Sequence, residues 1–341
     1  MPRIALNHLT AWITDAARIH GDDLAAHLMQ KLAVSRRSAN RLLARLVDAQ
    51  WLVRRGTTAR PRYEPGLLRQ VVQRYPLAGL DEALPWSRDF APAFTLPQNV
   101  ARLAQHAFGE LLNNAIDHSG GTSVTVSMRQ TPSHLQLLVS DDGCGLFERI
   151  AQSFQIDDRD AAMLELSKGK LSSTPERHTG RGLFFTARIA EVLDLHANAS
   201  AFQHRAWQQH QWKRGKAATR QGTSVFVAIA LDTPLTLDGV LREHSLDGQG
   251  YRFERTVVPL QLLTSSGVML DSRAQARRAA LCLQQFRHAT LDFTGITEIG
   301  HGFADELFRV FANGQPALTL EPVNLSPQVR ALIDSVREHA S

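Results

Sequence analysis

Cysteine is scarce in this sequence: the 341 residues contain two, Cys144 and Cys282. Two cysteines cannot build a disulfide framework or a cysteine-ligated zinc site. Long apolar runs are also lacking, since none reaches the ~18 residues of a membrane-spanning helix. The N-terminal stretch 1–23 does not show the charged-then-apolar layout of a secretion signal. These absences predict a protein of a reducing compartment without a membrane partner, and we expect it in the cytoplasm.

The composition predicts a folded protein of more than one domain. Hydrophobic residues make up 43% and charged residues 21% of the chain, close to the average of soluble proteins, which excludes a disordered or fibrous chain. At roughly 150 residues per domain, this length corresponds to two or three domains. Proline and glycine clusters divide the chain into three blocks, 1–70, 90–232 and 250–335. We expect an α+β multidomain protein.

Positive charge is concentrated in the first block. Residues 1–63 hold eleven Lys and Arg against four Asp and Glu, a net charge of +7, whereas the whole chain carries +5. The rest of the chain therefore sums to −2. This distribution predicts that a polyanion binds the first block alone.

Periodicity in the first block predicts two helices, a short turn and a third helix, followed by a basic hairpin. The third helix, 35–49, places leucines inward. Its outward face carries Arg36, Arg37, Asn40, Arg41 and Arg45. The hairpin, 51–63, adds Arg54, Arg55, Arg60 and Arg62. Taken together, the helices and the hairpin resemble the winged helix-turn-helix of bacterial transcription regulators, and the resemblance covers nearly the whole block.

The resemblance implies that residues 1–63 bind duplex DNA. Recognition helices insert their first residues beside base edges in the major groove, and this helix begins Ser-Arg-Arg-Ser-Ala-Asn-Arg. The five polar residues of the helix are thus candidate DNA contacts. Two alternatives remain: a solvated basic helix, or a winged helix that docks a protein.

The middle block contains four short polar or glycine-rich pieces. A helix over 97–118 places a carboxylate, an amide, a second carboxylate and an imidazole on one face, at Glu110, Asn114, Asp117 and His118. A strand then runs into Ser-Asp-Asp-Gly-Cys-Gly, residues 140–145. His-Thr-Gly-Arg-Gly-Leu, residues 178–183, opens a helix whose free N–H groups suit a phosphate. Gln-Gly-Thr-Ser, residues 221–224, starts a further strand.

In this order and spacing the four pieces resemble the GHKL ATP-binding domains of gyrase, Hsp90, MutL, sensor histidine kinases and anti-sigma-factor kinases. The resemblance covers most of the middle block and implies a two-layer α/β sandwich that binds ATP and Mg²⁺. Glu110 would act as general base, Asn114 would bind Mg²⁺, and Asp141 would accept a hydrogen bond from the adenine amino group. The remaining ATP-binding positions it implies are Gly143, Gly145, Gly180, Arg181, Gly182 and Thr223.

The stretch 146–179 corresponds to the mobile lid of that family. Lys168, Lys170 and Arg177 within it are candidate phosphate contacts, or alternatively solvated loop charges. Residues 66–96 are too few and too rich in proline and glycine for the two-helix hairpin that carries the phosphoacceptor histidine of sensor kinases. We therefore do not expect two-component autophosphorylation.

The third block reads Leu-Asp-Phe-Thr-Gly-Ile-Thr-Glu-Ile-Gly-His-Gly-Phe-Ala over 291–304. Nearly all of this block resembles the STAS-like α/β domain found beside such ATPases, and more distantly anti-anti-sigma factors. Those factors carry a phosphorylated serine where this chain has Gly300, His301 and Gly302. A serine switch at this point is therefore not expected.

Together the blocks predict an ATP-dependent regulator, connected with transcription, that couples Mg-ATP binding to DNA or to a protein partner. The STAS-like domain would dock on the ATPase domain of the same chain or of a second copy in a homodimer. Two alternatives remain: a serine/threonine protein kinase of the anti-sigma type, and a non-enzymatic interaction module with ATP as a ligand.

Overall fold

The computed structural model describes residues 6–156, 158–171, 180–208, 211–264 and 267–338. The chain divides into two compact units. The first comprises residues 1–143 and 224–234, and the second comprises residues 144–223 and 235–341. Within the described ranges, no helix has the length and apolar character needed to cross a membrane.

The first unit begins with four helices and a two-stranded ribbon. The helices are α1 (Asn7–Thr10), α2 (Ile13–Ile19), α3 (Leu24–Leu32) and α4 (Arg36–Asp48). The antiparallel ribbon is formed by β1 (Leu52–Gly56) and β2 (Pro61–Pro65). Ser35 caps α4 by accepting a hydrogen bond from the Ser38 N–H at 3.3 Å, so the predicted start of this helix is confirmed. Buried leucines of α3 and α4 share one core with Trp51 and Tyr63, which fixes the basic face of α4 toward solvent.

The first unit continues into a sheet covered by one long helix. Its elements are β3 (Arg69–Pro76), α5 (Ala83–Pro85), a π-helical stretch Trp86–Phe90, a 3-10 turn Ala91–Ala93, α6 (Gln98–His118), β4 (Ser123–Gln130) and β5 (His134–Asp141). β3 pairs antiparallel with β4, and β4 pairs antiparallel with β5. The sequence did not predict β3, which lies in the stretch 66–96 that is rich in proline and glycine. Of the strand's eight residues, Val71 and Tyr75 are buried, and so few apolar positions leave little alternation to detect.

The second unit contains the helices between the glycine motifs and an antiparallel meander. Its elements are α7 (Leu146–Phe154), α8 (Arg159–Lys168), α9 (Gly182–Ile189), β6 (Val192–Asn198), β7 (Ser200–Arg205), a 3-10 turn Ala206–Gln208 and β8 (Gln211–Arg214). β9 (Arg220–Ala230) starts in this unit, and its residues 224–230 belong to the first unit, where they pair with β5. The helix that the sequence predicts after the second glycine motif ends at Ile189, because residues 192–198 alternate between buried and half-buried positions as a strand does.

The C-terminal part of the second unit is a three-stranded parallel sheet with helices. Its elements are α10 (Leu237–Glu243), β10 (Arg255–Pro259), a 3-10 turn Leu260–Leu263, α11 (Arg273–Ala280), a 3-10 turn Leu283–Gln285, β11 (His288–Asp292), α12 (His301–Asp305), a π-helical stretch Glu306–Phe311, β12 (Thr319–Val323) and α13 (Pro327–Glu338). The strand order is β10-β11-β12. Ser272 and Gln275 form a capping box at the start of α11. The predicted α/β character of this block is confirmed.

Candidate nucleotide site and basic helix

Helix α6 buries one face and leaves its polar face accessible. Its buried residues are Val100, Leu103, Ala104, Ala107, Phe108, Leu111, Leu112 and Ala115, and the helix packs against β5. Asn114 is exposed and the side chain of Glu110 is 39% exposed. The amide and the carboxylate therefore lie on the side of the helix that a ligand can reach.

His106 lies one turn before Glu110, and the sequence motifs did not include it. Its Nδ1 is 4.0 Å from Oε1 of Glu110. Burial lowers the pKa of His106 below its ordinary value, so the imidazole is neutral at pH 7. A histidine four residues before a candidate base is the sequence signal that could have identified it.

Two adjacent aspartates end β5 and differ in their partners. Asp141 is buried, and its Oδ1 accepts a hydrogen bond from the Gly143 N–H at 2.9 Å. Asp142 accepts four hydrogen bonds, from the backbone N–H and the hydroxyl of both Thr122 and Ser123. These donors hold the pKa of Asp142 far below its ordinary value. Asp142 thus ties the end of β5 to the start of β4 and leaves Asp141 as the candidate for recognition.

Gly143 lies against the end of α6. A Cβ at this position would lie 2.2 Å from the carbonyl oxygen of Ser119, the residue that follows the helix. Only glycine allows this close approach. In the first unit the structure therefore joins the glycine loop after Asp141 to the helix that carries Glu110 and Asn114.

In the second unit, Asn198 connects two of the predicted glycine-rich pieces. Its Nδ2 donates to the carbonyl oxygen of Cys144 at 2.8 Å, and its Oδ1 accepts from the Gly222 N–H at 2.9 Å. Gly145 has a φ of +93°, and a Cβ there would lie 2.4 Å from the Asn198 Nδ2. Asn198 therefore brings Gly145 beside the residue that precedes Thr223. The sequence signal for it was the residue type alone, since asparagine tolerates the positive φ that Asn198 adopts better than most residues do.

The second glycine motif begins α9. Gly180 has a φ of +67° and lies against the backbone of Leu171, and Gly182 is the buried first residue of the helix. Between them, the Nε of Arg181 is buried and has no hydrogen-bond partner among the described residues. His178, Thr179 and Arg177 lie outside the described residues.

These features fit a nucleotide. The buried Nε of Arg181, beside the first turn of α9, is an unused donor suited to an anion. Among the residues described, no group of three His, Cys, Asp or Glu could hold a metal. A Mg²⁺ at Asn114 would therefore take its other ligands from phosphate and water, as Mg²⁺ commonly does.

Lys168 is neither a solvated loop charge nor directed at a phosphate. Its side chain is fully buried, and Nζ lies 2.5 Å from Oε1 of Glu165. Burial lowers the pKa of Lys168 and raises that of Glu165, and each opposes the shift of the other. Lys170 Nζ donates to the carbonyl oxygen of Gln285. Both expectations for Lys168 were wrong because two of its three partners, the carbonyl oxygens of Arg278 and Leu281, belong to residues far away in the sequence.

The basic face of α4 is exposed where the sequence placed it. Arg36, Arg37, Asn40 and Arg41 are exposed, and Arg45 is half-buried. Within the part of the chain that the structure describes, the first three arginines of the helix have no carboxylate within 4 Å. The ribbon differs, since Arg55 lies 3.7 Å from Glu64, and Arg62 lies 3.8 Å from Glu64 and 3.9 Å from Asp22.

Comparison with known families identifies two of the three blocks. Residues 99–233 match the histidine kinase-, DNA gyrase B- and HSP90-like ATPase family. This part of the chain is therefore a GHKL-type ATPase domain, as the four motifs predicted. Residues 277–330 match a STAS-like domain of unknown function. The first block, 1–70, lies outside both family matches.

A curated relative supports the same assignment. Over 185 residues the chain is 31% identical to the probable sensor histidine kinase TcrY of Mycobacterium tuberculosis. The alignment covers 49% of this chain and 37% of the relative. The chain therefore spans little more than a third of the relative's length.

Proposed function

We propose that this chain is an ATP-responsive regulator, in which residues 90–232 bind Mg-ATP and residues 1–70 bind duplex DNA. The observation that carries the proposal is the arrangement at the end of β5. Asp141 is buried there on a glycine loop that touches the end of α6. A carboxylate at the end of a strand, followed by a glycine loop, suits the amino group of adenine, because its oxygens can accept more than one hydrogen bond.

Each motif has one task in this proposal. Asp141 accepts a hydrogen bond from the adenine amino group and Thr223 supports that end of the pocket. Asn114 holds Mg²⁺, which would neutralise the charge of the phosphates. Gly180 and Gly182 allow the phosphates to approach the first N–H groups of α9, with Arg181 as a further donor. Gly143 and Gly145 keep the adenine side of the pocket narrow.

Glu110 is the proposed general base. In an ATPase switch it would accept a proton from water, and in the alternative serine/threonine kinase it would accept a proton from a hydroxyl group. Two-component autophosphorylation is not proposed. Among the described residues, 67–96 form β3 and short helical turns instead of a two-helix hairpin that could present a phosphoacceptor histidine.

The exposed face of α4 supports DNA as the polyanion. Arg36, Arg37 and Arg41 project from the first turns of a capped helix, without carboxylate partners in the described structure. Unpaired arginines keep their charge available for phosphates and base edges. The ribbon arginines that pair with Glu64 would contribute less, since part of their charge is already compensated.

Calorimetry with Mg-ATP tests the nucleotide site. We expect the wild type to bind Mg-ATP and Asp141→Asn to bind it at least tenfold more weakly, a difference of about 1.4 kcal/mol in binding free energy. The two carboxylate oxygens can accept hydrogen bonds from the Gly143 N–H and from adenine, whereas an amide has one accepting oxygen. Asp334→Asn on α13 is the charge-matched control, since Asp334 is exposed and far along the chain from every motif. No heat with the wild type, or equal affinity in the two variants, would contradict the proposal.

A further inference from the structure

Helix α8 is covered on nearly every side. Eight of its ten residues are buried, namely Asp160, Ala161, Ala162, Met163, Leu164, Glu165, Ser167 and Lys168. The helix packs against α7 and α9 of the ATPase domain, and against β10 and the turn Leu260–Leu263 of the C-terminal domain. A helix without a solvated face is fixed by its neighbours. Helix α8 is thus held from the C-terminal domain as well.

The last residue of α8 makes the most specific of these contacts. Lys168 Nζ lies 2.5 Å from Oε1 of Glu165, 2.9 Å from the carbonyl oxygen of Leu281 and 3.2 Å from that of Arg278. An ammonium group has three donors, and all three are used. The set of three acceptors therefore fits the charged form of the lysine.

Two of these acceptors lie at the C-terminal end of α11. Helix carbonyls at this end lack partners within the helix, and a positive charge near them is favourable. Lys168 therefore caps a helix of the C-terminal domain from within the ATPase domain. In return, the Thr256 hydroxyl of β10 donates to the carbonyl oxygen of Lys168 at 2.6 Å.

The chain just after Lys168 is hydrogen-bonded to the second glycine motif. Two residues after Lys168, the Lys170 N–H donates to the carbonyl oxygen of Gly180 at 3.1 Å. Its Nζ lies 4.1 Å from the centre of the Phe286 ring. On α9, the ring of Phe184 lies 4.7 Å from that of Phe253, which belongs to the C-terminal domain. Both ends of the phosphate-binding motif are therefore connected to this domain.

We propose that the STAS-like C-terminal domain acts as an intramolecular regulator of the ATP site, and that Lys168 is the positioning residue that couples them. The contact between Lys168 and the end of α11 holds α8 in place and slows the release of nucleotide. By reciprocity, nucleotide binding must then alter the stability of α11. This inference rests on the proposed ATP binding.

The opposite charges of Lys168 and Glu165 determine which variants can test the proposal. Replacing Lys168 alone leaves Glu165 buried without a counter-charge, and such a variant can fail to fold. The double variant Lys168→Met, Glu165→Met removes both charges and keeps similar side-chain volume. Arg277→Met is the control. Arg277 lies on α11 beside the contact, but its guanidinium bonds Glu306 within the C-terminal domain.

Two measurements on the full chain test the coupling. Stopped-flow release of a fluorescent ATP analogue with Mg²⁺ should be at least about tenfold faster in the double variant than in the wild type, and unchanged in Arg277→Met. Amide hydrogen exchange should show that Mg²⁺ with a non-hydrolysable ATP analogue slows exchange in α11 of the wild type. In the double variant that change should disappear while protection around α6 persists.

The outcomes separate the two proposals. Equal release rates in the wild type and a folded double variant would overturn the coupling and leave ATP binding intact. The coupling would also be overturned if amide hydrogen exchange in α11 of the wild type were the same with and without nucleotide. This measurement needs no variant. Absence of nucleotide binding by the wild type would instead overturn the proposed function, and the coupling with it.

Discussion

Asp141 and Asp142 are consecutive residues whose carboxylates have different partners. The Oδ1 of Asp141 accepts from the Gly143 N–H, whereas both oxygens of Asp142 are taken by donors of Thr122 and Ser123. The second aspartate holds the ends of two strands together, and it thereby fixes the position of the first. Substitutions can consequently separate the contribution of Asp142 to stability from the adenine contact proposed for Asp141.

Asp142→Asn should lower the stability of the first unit in a pH-dependent way. The folded-state pKa of Asp142 is depressed by its hydrogen bonds. Its contribution is therefore complete above the unfolded value, about 3.9, and is lost as the pH falls through the folded value. In urea unfolding, the difference between wild type and Asp142→Asn should be constant from pH 7 to 5 and shrink below pH 4. Asp334→Asn is the control. If the difference in unfolding free energy between wild type and Asp142→Asn does not change with pH, the charge of Asp142 does not contribute to stability.

Glu110→Gln should separate binding from chemistry. The amide keeps the shape of the side chain but cannot accept a proton, so we expect ATP affinity within about threefold of wild type and turnover reduced by roughly 10²-fold or more. Labelled γ-phosphate from ATP, followed on the full chain, distinguishes the alternatives. Free phosphate indicates an ATPase and label on protein indicates a kinase, while turnover that survives the substitution would remove Glu110 from the mechanism.

Gly180→Ala should impair nucleotide binding and cost on the order of 1–2 kcal/mol of stability, since the position has positive φ. A Cβ there would also lie 2.5 Å from the carbonyl oxygen of Leu171. Gly109→Ala is the matched control, because this glycine lies within α6 and a Cβ would meet nothing within 4 Å. That change should stabilise the chain by about 0.5–1 kcal/mol. Thermal unfolding and Mg-ATP titration check both, and equal behaviour of the two variants would refute the role given to Gly180.

Arg36, Arg37 and Arg41 should carry the affinity for DNA. Replacing all three by Ala should weaken binding to random duplex DNA and reduce the slope of log K against log salt by up to about 2.7, since each lost phosphate contact contributes about 0.9. Fluorescence anisotropy at several salt concentrations measures both quantities. The triple variant Arg273→Ala, Arg277→Ala, Arg278→Ala removes the same charge from the C-terminal domain. If it has the same effect, binding depends on net charge and not on α4.

Much of the local structure follows from short-range patterns in the sequence. The leucine spacing and Ser35 predicted α4, and the alternation in 123–141 predicted β4 and β5, because both patterns express burial on one face. The GHKL motifs identified the ATPase domain for a similar reason: tight glycine turns and the polar face of one helix need particular residue types at fixed spacing. β3 was missed because its few buried residues carry too weak a pattern.

What the sequence determined by itself was therefore the identity of the ATPase and STAS-like domains, the exposed basic helix and the candidate ligand residues. Only the tertiary structure revealed that Asp142 binds the start of β4, that Asn198 links Gly145 to Gly222, and that Lys168 is buried. The partners of Lys168 on α11 lie more than a hundred positions along the chain. The sequence alone does not show whether a lysine side chain is solvated or buried against the end of a helix. Its surroundings are set by chain segments that become neighbours only on folding.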